Sequence, residues 1–248
     1  MSGIHIMRFP PLGYSCDEAI NTLCTNLTFS GQNVKRIMIT SCHASEGKSF
    51  LTMNIMRTMT EFGRSVVFVD ADLRRSMIRT TYGLQYDDDQ KHHMGLAHYL
   101  NGMTDLESVI YSTNINNAWM IPIGREVSNP KPLLTSERMP EMLGTLGKRF
   151  DYVLVDAPPL GTVIDAAQIA GYCDGAVLSV RYNSVRRQEL LDVKEQLEAT
   201  GCPILGCVLN QVEYDSYLSK KYQYKYYYSK YSKGKYYYGG SEKKDDKK

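Results

Sequence analysis

The residues best suited to chemistry are a lysine and a serine that stand together after a short apolar run. They end the segment Ser41-Cys-His-Ala-Ser-Glu-Gly-Lys48-Ser49, which follows residues 34–40 and precedes a helical pattern. A strand that turns tightly into a helix directs several backbone N–H groups and the positive end of the helix dipole to one point. Such a point binds phosphate, with Lys48 beside the β- and γ-phosphates and the Ser49 hydroxyl directed to Mg²⁺.

The match to the phosphate-binding pattern G-x-x-x-x-G-K-[ST] is imperfect, because Cys42 occupies the first glycine position. Taken alone, the segment also fits an ordinary helix N-terminus that happens to carry Lys and Ser. If it binds a nucleotide, the phosphates lie against the end of the loop and the start of the helix. The residues predicted there are Ser45, Glu46, Gly47, Lys48, Ser49 and Phe50.

Two carboxylates follow a second apolar run, residues 65–69. Asp70 and Asp72 are separated by one residue, so on an extended chain both side chains point in the same direction. In an open α/β sheet, ligands bind at the carboxyl ends of the strands, where this pair falls. Taken alone, the pattern also fits a solvated strand end with a turn-forming Asp.

A third apolar run, residues 152–155, ends at Asp156 and is followed by Ala-Pro-Pro. A carboxylate in this position orders the water shell of a nucleotide-bound Mg²⁺, and the prolines stop the strand. Chance does not readily produce three such segments in this order. Together they predict that the chain binds ATP with Mg²⁺.

The elements that carry these groups predict an α/β fold with a doubly wound, mostly parallel sheet. Nearly all-apolar runs are typical of strands that are buried on both faces of such a sheet. Ser15 and Glu18 suggest a capping box at the start of the first helix. The predicted strands are 34–40, 65–69, 152–155, 176–180 and 204–209, and the predicted helices are 15–30, 48–62 and 184–200.

The charge and the tyrosines are unevenly distributed, which divides the chain into an N-terminal segment (1–33), a P-loop domain (34–211) and a tail (212–248). The tail holds eleven of the nineteen tyrosines, and its ten Lys against five acids give +5. Since the whole chain carries +2, residues 1–211 carry −3. With few aliphatic residues, the tail is predicted to be disordered. A basic nucleic-acid-binding surface is not predicted for the domain.

The cysteines and the hydropathy pattern predict a cytoplasmic protein. The six cysteines are scattered without a C-x-x-C pair, which favours a reducing compartment over a disulfide framework. No run approaches the roughly 20 apolar residues that a membrane-spanning helix needs. A role at the membrane therefore requires a partner.

The order of the motifs GKS, VFVDADLRR and VLVDAPP resembles that of the bacterial tyrosine kinases of capsule and exopolysaccharide synthesis. The similarity continues through Gly95-Leu-Ala-His-Tyr-Leu-Asn-Gly and Leu205-Gly-Cys-Val-Leu-Asn210. It implies a P-loop fold of the MinD/ParA type and an ATP-dependent protein-tyrosine kinase. The chain resembles the stand-alone cytoplasmic kinases of Gram-positive organisms. This implies a membrane adaptor with a cytoplasmic segment, a tyrosine phosphatase and a homo-oligomer.

The resemblance also implies roles for individual residues. Lys48, Asp70 and Asp72 are the catalytic candidates. Asp70 would activate the tyrosine hydroxyl, although the choice between Asp70 and Asp72 as the base stays open. Asn210 would contact adenine, and Arg74 would either neutralise developing charge or pair locally. The implied metal-site residues are Ser49, Asp72 and Asp156. The implied phosphate acceptors, modified in trans, are Tyr222, Tyr224, Tyr226, Tyr227, Tyr228, Tyr231, Tyr236, Tyr237 and Tyr238.

Two departures from related patterns bear on assembly. His43 stands where partition ATPases carry a signature lysine, which disfavours that branch. The kinases usually carry E-x-x-R-x-x-R on the first helix, but this chain has Glu18, Asn21 and Cys24 in that spacing. A ring built through those arginines is therefore not predicted. The alternative functions are a MinD/ParA-like ATPase that positions partners, and a weakly catalytic interaction module whose tail another enzyme phosphorylates.

Overall fold

A nine-stranded sheet runs through the part of the chain that the computed structural model describes, residues 3–87, 93–161 and 165–212. Its strand order is β4-β1-β5-β6-β3-β7-β2-β8-β9. All neighbours are parallel except the pairs β1–β4 and β5–β6. The strands are β1 (Gly3–Ile6), β2 (Arg36–Ser41), β3 (Val66–Asp70), β4 (Leu84–Tyr86), β5 (Tyr111–Thr113), β6 (Ala118–Ile121), β7 (Tyr152–Asp156), β8 (Gly175–Arg181) and β9 (Ile204–Asn210).

Helices cover both faces of this sheet, so the predicted mostly parallel α/β fold is confirmed. Buried residues of the first two helices contribute to the apolar core on one face, and those of the fourth to eighth contribute to the core on the other. The helices are α1 (Tyr14–Thr28), α2 (Lys48–Glu61), α3 (Ile78–Tyr82), α4 (Leu96–Leu100), α5 (Lys131–Leu134), α6 (Arg138–Arg149), α7 (Asp165–Ala170) and α8 (Arg187–Ala199).

The central strands are apolar on both faces because each face has its own core. Ile37 and Ile39 of β2 lie in the core that contains α1 and α2, whereas Met38 between them lies in the opposite core. This is the side-chain alternation of a pleated strand. Such burial excludes water from the middle of the sheet and leaves the strand ends as the places where polar groups reach a ligand.

The strand order brings the three predicted motifs to one edge of the sheet. β7 lies between β3 and β2, so the ends of these three strands are adjacent. Asp70 and Asp156 are partners in the register of β3 and β7, and Asp156 is also the partner of Ile39 in β2. Two acidic strand ends therefore lie beside the loop that leaves β2.

The structure differs from the sequence prediction mainly in four strands at one side of the sheet and in the start of the first helix. The strands β1, β4, β5 and β6 were not predicted, because runs of three or four residues carry little periodicity. The predicted capping box is wrong. The first helix begins at Tyr14 with Gly13 in the N-cap position, so Ser15 lies inside the first turn.

The chain forms a compact unit that ends at Asn210. The predicted phosphate-acceptor tyrosines, residues 222–238, lie outside the described residues. Within the described ranges, no helix has both the length and the apolar character that crossing a bilayer requires.

One glycine in the α4 region tests this packing. A Cβ on Gly95 would lie 2.3 Å from the backbone nitrogen of Gly124 and 2.4 Å from the carbonyl oxygen of Pro122. We expect Gly95→Ala to lower the free energy of unfolding by about 1–3 kcal/mol, since backbone must move to admit the methyl group. The measurement is urea denaturation followed by circular dichroism.

Gly144 on α6 is the matched control, because a Cβ there meets nothing within 4 Å. Gly144→Ala should stabilise the protein by up to about 1 kcal/mol through helix propensity. Equal effects of the two substitutions would contradict the packing described for Gly95.

Candidate active site

The loop between β2 and α2 has the backbone shape of a phosphate-binding loop. Ser45 and Gly47 adopt left-handed conformations, with φ of 63° and 80°, and Gly47 is the N-cap of α2. Cys42 does not adopt positive φ, so the first position of the motif does not require glycine in this chain. The thiol of Cys42 is buried, which raises its pKa to about 12. Cys42 therefore fills space as a neutral side chain.

Glu46 closes the loop on itself. Its carboxylate oxygen Oε2 accepts hydrogen bonds from the backbone N–H groups of Cys42 (2.8 Å) and His43 (3.0 Å). Its carbonyl oxygen accepts bonds from the Ser179 hydroxyl (2.8 Å) and the Asn210 amide (3.1 Å). Glu46 was predicted to contact the nucleotide. The residue is only 2% exposed, and its side chain is bonded to the backbone of the loop.

Lys48 lies among the three predicted carboxylates. Its ammonium is 3.0 Å from Oδ2 of Asp72 and 3.7 Å from Oδ1 of Asp156. Burial alone lowers the pKa of Lys48, but the charges of Asp156 and Asp72 outweigh it and hold the pKa above its ordinary value. Lys48 is therefore a buried cation at neutral pH. Of the other predicted residues, Ser49 and Phe50 form the half-buried start of α2, and Ser45 is exposed.

Asp70 and Asp156 are buried carboxylates with oxygens available for a ligand. Oδ1 of Asp70 and both carboxylate oxygens of Asp156 are buried and accept no close hydrogen bond among the described residues, although Oδ1 of Asp156 is ion-paired with Lys48 at 3.7 Å. Burial raises the pKa of Asp70 well above the ordinary range, and the charge of Asp156 raises it further. Burial likewise raises the pKa of Asp156, and the charge of Lys48 opposes that shift. Both groups are poised to accept a cation or a proton.

Ser76, which the sequence analysis missed, fixes the orientation of Asp70. Its hydroxyl donates to Oδ2 of Asp70 at 2.5 Å and accepts a bond from the backbone N–H of Ile78 at 3.2 Å. Because Ser76 occupies Oδ2, the buried Oδ1 is the oxygen that remains for chemistry. No sequence signal marks this serine, since it follows the motif in a polar turn.

Arg74 pairs locally, which was one of its two predicted roles. Its Nε donates to Oδ2 of Asp165 at 2.5 Å, and its Nη1 donates to the carbonyl oxygen of Ser128 at 3.0 Å. Asp165 is 1% exposed and begins α7. Arg74 thus joins three segments at the carboxyl edge of the sheet.

The three positions that match the E-x-x-R-x-x-R pattern lie on α1. Glu18 is exposed, Asn21 is half-buried and Cys24 is fully buried, where its thiol points to the carbonyl oxygen of Ile55 on α2. The third position of the pattern therefore packs inside the protein and is not available to a neighbouring copy.

Comparison with known proteins identifies the family. Residues 34–181 match the family described as AAA domain. The chain is 36% identical over 197 residues to the tyrosine-protein kinase CpsD of Streptococcus pneumoniae, a match that covers 79% of this chain and 85% of that protein. The chain belongs to this family of bacterial tyrosine kinases. The resemblance noted from the motifs is thereby confirmed, as is the enzyme class, a protein-tyrosine kinase of capsule synthesis.

Solved structures extend the comparison. The kinase domain of the Escherichia coli tyrosine kinase ETK superposes with a TM-score of 0.73 at 28% identity, covering 82% of this chain and 78% of that domain. The septum site-determining protein MinD from Pyrococcus horikoshii, solved with Mg-ADP, gives a TM-score of 0.58 at 26% identity, covering 71% and 69%. The P-loop fold is confirmed, and it is a nucleotide-binding fold.

The raised pKa of Asp70 has a consequence for stability. An unfolded Asp ionises at about pH 4, whereas the folded protein disfavours that charge, so the contribution of Asp70 to stability falls as the pH rises above this value. We expect Asp70→Asn to raise the melting temperature of the kinase free of nucleotide and magnesium. Its advantage over wild type should widen as the pH rises above about 4.

Asp151 is the matched control with the opposite sign. Backbone and side-chain hydrogen bonds from Ser65 lower its pKa, so its carboxylate stabilises the fold above the unfolded pKa. Asp151→Asn should lower the melting temperature at neutral pH, and the loss should shrink as the pH falls through the Asp range. Calorimetric scans across this pH series measure both variants. A pH-independent difference for Asp70→Asn would contradict the burial argument.

Proposed function

We propose that this kinase transfers the γ-phosphate of Mg·ATP to tyrosines in residues 212–248 of a neighbouring copy, and thereby regulates capsular or exopolysaccharide synthesis and export. The observation that carries the proposal is the position of Lys48. Its ammonium lies within 4 Å of carboxylates from two neighbouring strand ends, at the start of the helix that follows the loop. This arrangement suits the binding of transferable phosphate.

The residues around Lys48 fit a magnesium ion. Magnesium in phosphate-transfer sites takes one or two protein ligands and completes its shell with water and phosphate oxygens. We assign Ser49, Asp72 and Asp156 to this role. Asp156 supports the assignment, because its buried carboxylate has an ion pair with Lys48 at Oδ1 but accepts no close hydrogen bond among the described residues. Within the described ranges, no group of three His, Cys, Asp or Glu side chains has the arrangement to hold a metal alone. The ion would neutralise charge that develops on the transferring phosphate.

The contacts of the two neighbouring carboxylates support a different role for each. Asp72 is the ion-pair partner of Lys48, and we assign it to the phosphate and metal side of the site. Asp70 is held by a neutral hydroxyl at Oδ2 and offers Oδ1, and its raised pKa makes it a better proton acceptor than an ordinary Asp. We therefore assign Asp70 as the base that takes the phenolic proton as the tyrosine oxygen attacks the γ-phosphorus, while the bond from that phosphorus to the bridging oxygen breaks and ADP leaves.

The proposed acceptors are the nine tyrosines from Tyr222 to Tyr238. They stand in a segment with a charge of +5, whereas residues 1–211 carry −3. Opposite charges favour the approach of this segment to a neighbouring kinase domain. Each phosphate adds about −1.5 to −2 charges, so three would bring the segment close to neutrality and reduce that attraction. Phosphorylation would thus control assembly electrostatically.

The proposed partners follow from membership in the family. A membrane adaptor with a cytoplasmic segment would recruit the kinase to the inner face of the membrane and activate it, and a tyrosine phosphatase would reverse the modification. We also propose a homo-oligomer, since phosphorylation in trans needs two copies. Its contacts must differ from the arginine pattern, because Cys24 is buried.

Phosphotyrosine formation tests the proposal directly. We expect Lys48→Met to abolish phosphotyrosine in residues 212–248 after incubation with Mg·ATP, because the phosphate loses its buried cation. Mass spectrometry of wild type and variant gives the readout, with and without the cytoplasmic segment of a cognate adaptor. Lys194→Met is the control, since Lys194 is half-exposed and pairs only with Glu198 on α8 among the described residues. Release of phosphate without modified tyrosine would instead indicate a MinD-like ATPase.

Kinetics of two single variants test the division of roles between the carboxylates. We expect Asp70→Asn to lower kcat for tyrosine phosphorylation by about 10²- to 10⁴-fold, as for loss of a general base, with little change in the Kd for Mg·ATP. Asp72→Asn should instead weaken the binding of Mg·ATP. The reverse result would assign the base to Asp72.

A further inference from the structure

We propose that Ser179 and Asn210 are positioning residues for the phosphate-binding loop and act through the carbonyl oxygen of Glu46. The inference rests on the proposed nucleotide site and goes beyond it in two ways. It gives a role to Ser179, a residue that no motif marks. It also assigns Asn210 to the phosphate end of the nucleotide, although the resemblance implied a contact with adenine.

Two donors from different strands converge on one acceptor. Ser179 is a fully buried residue of β8 and is the register partner of Ser41 in β2. Its hydroxyl is 2.8 Å from the carbonyl oxygen of Glu46. The amide nitrogen of Asn210, the last residue of β9, is 3.1 Å from the same oxygen. The backbone of Asn210 is held in turn, since its carbonyl oxygen accepts a bond from Tyr182 N–H at 2.8 Å.

The bonds from Ser179 and Asn210 to the Glu46 carbonyl oxygen form an anchor, and the geometry of the peptide bond lets this anchor orient the next N–H group of the loop. The peptide between Glu46 and Gly47 is planar and trans, so its C=O and N–H point in opposite directions. Ser179 and Asn210 hold the C=O toward the ends of β8 and β9, and the N–H of Gly47 is therefore aimed away from these strands. Gly47 is the N-cap of α2, where backbone N–H groups bind phosphate.

The anchor matters because this part of the loop has freedom to rotate. Gly47 adopts positive φ, and a glycine samples either sign of φ readily. The Glu46 carboxylate already ties the side chain to the start of the loop through Cys42 and His43. The two bonds to its carbonyl oxygen fix the main chain as well. A buried carbonyl with two donors holds its peptide in one orientation, which a single contact does not ensure.

Binding measurements with a probe that lacks a base test this role. The variants are Ser179→Ala and Asn210→Ala, and the ligands are Mg·ATP, Mg·GTP and Mg·tripolyphosphate, titrated by calorimetry. Loss of one neutral hydrogen bond should weaken binding by about five-fold in each variant. The expected result is the same factor for all three ligands, with an unchanged ratio of ATP to GTP affinity. The Ser184→Ala control, which removes an exposed hydroxyl bonded to the Arg181 carbonyl, should bind like wild type.

The outcomes are distinguishable. If Asn210→Ala weakens ATP but leaves tripolyphosphate unchanged, Asn210 contacts adenine and the inference is wrong. If both variants bind all ligands like wild type, the anchor has no role in binding, although the nucleotide site stands. If wild type itself binds none of the ligands, the proposed function fails first. Should Ser179→Ala not fold, Asn210→Ala decides alone, because Asn210 is a half-buried residue at a strand end.

Discussion

The buried ammonium of Lys48, set against three carboxylates, is the interaction on which the rest of the site depends. One cation cannot balance Asp70, Asp72 and Asp156 when all three are ionised, and none of these residues is more than 7% exposed. Buried charge without a partner is costly, so the fold disfavours the charged forms of Asp70 and Asp156. A divalent cation would supply the missing partner. The same imbalance that weakens the free protein therefore favours the ligated one.

The sheet makes this arrangement possible by holding the charged groups on rigid strand ends. Asp70 and Asp156 are neighbours in the register of β3 and β7, and the main chains are tied by a bond of 3.0 Å from Ala71 N–H to the Asp156 carbonyl. On a flexible loop, the two neighbouring carboxylates would move apart because like charges repel. The all-apolar strands beneath them prevent that movement, because both faces of the sheet are packed against helices.

The motifs and the apolar runs were enough to predict the fold class, the order of the acidic strand ends and the family. Each motif and each apolar run is a stretch of consecutive residues, so it can be recognised from the local sequence. The contacts that orient the site are of another kind. Ser179 and Asn210 reach Glu46 across 133 and 164 residues of sequence, and Ser76 binds Asp70 from an ordinary polar turn. Only the strand order brings the first two together. A serine in the otherwise apolar run 176–180 was the sole hint of Ser179.

The loop has two kinds of contact, the ion pair of Lys48 and the hydrogen bonds of Glu46 to neutral donors. Lys48 is bound to Asp72 in this structure, so in the proposed site a nucleotide would draw the ammonium toward its phosphates and loosen that ion pair. The loop cannot depend on Lys48 for its shape while this exchange occurs. Glu46 can hold it, because its partners are backbone N–H groups, a hydroxyl and an amide, none of which changes charge. A loop held by neutral donors keeps its shape while the charged groups change partners, and this explains why Glu46 is buried beside, and not within, the cluster around Lys48.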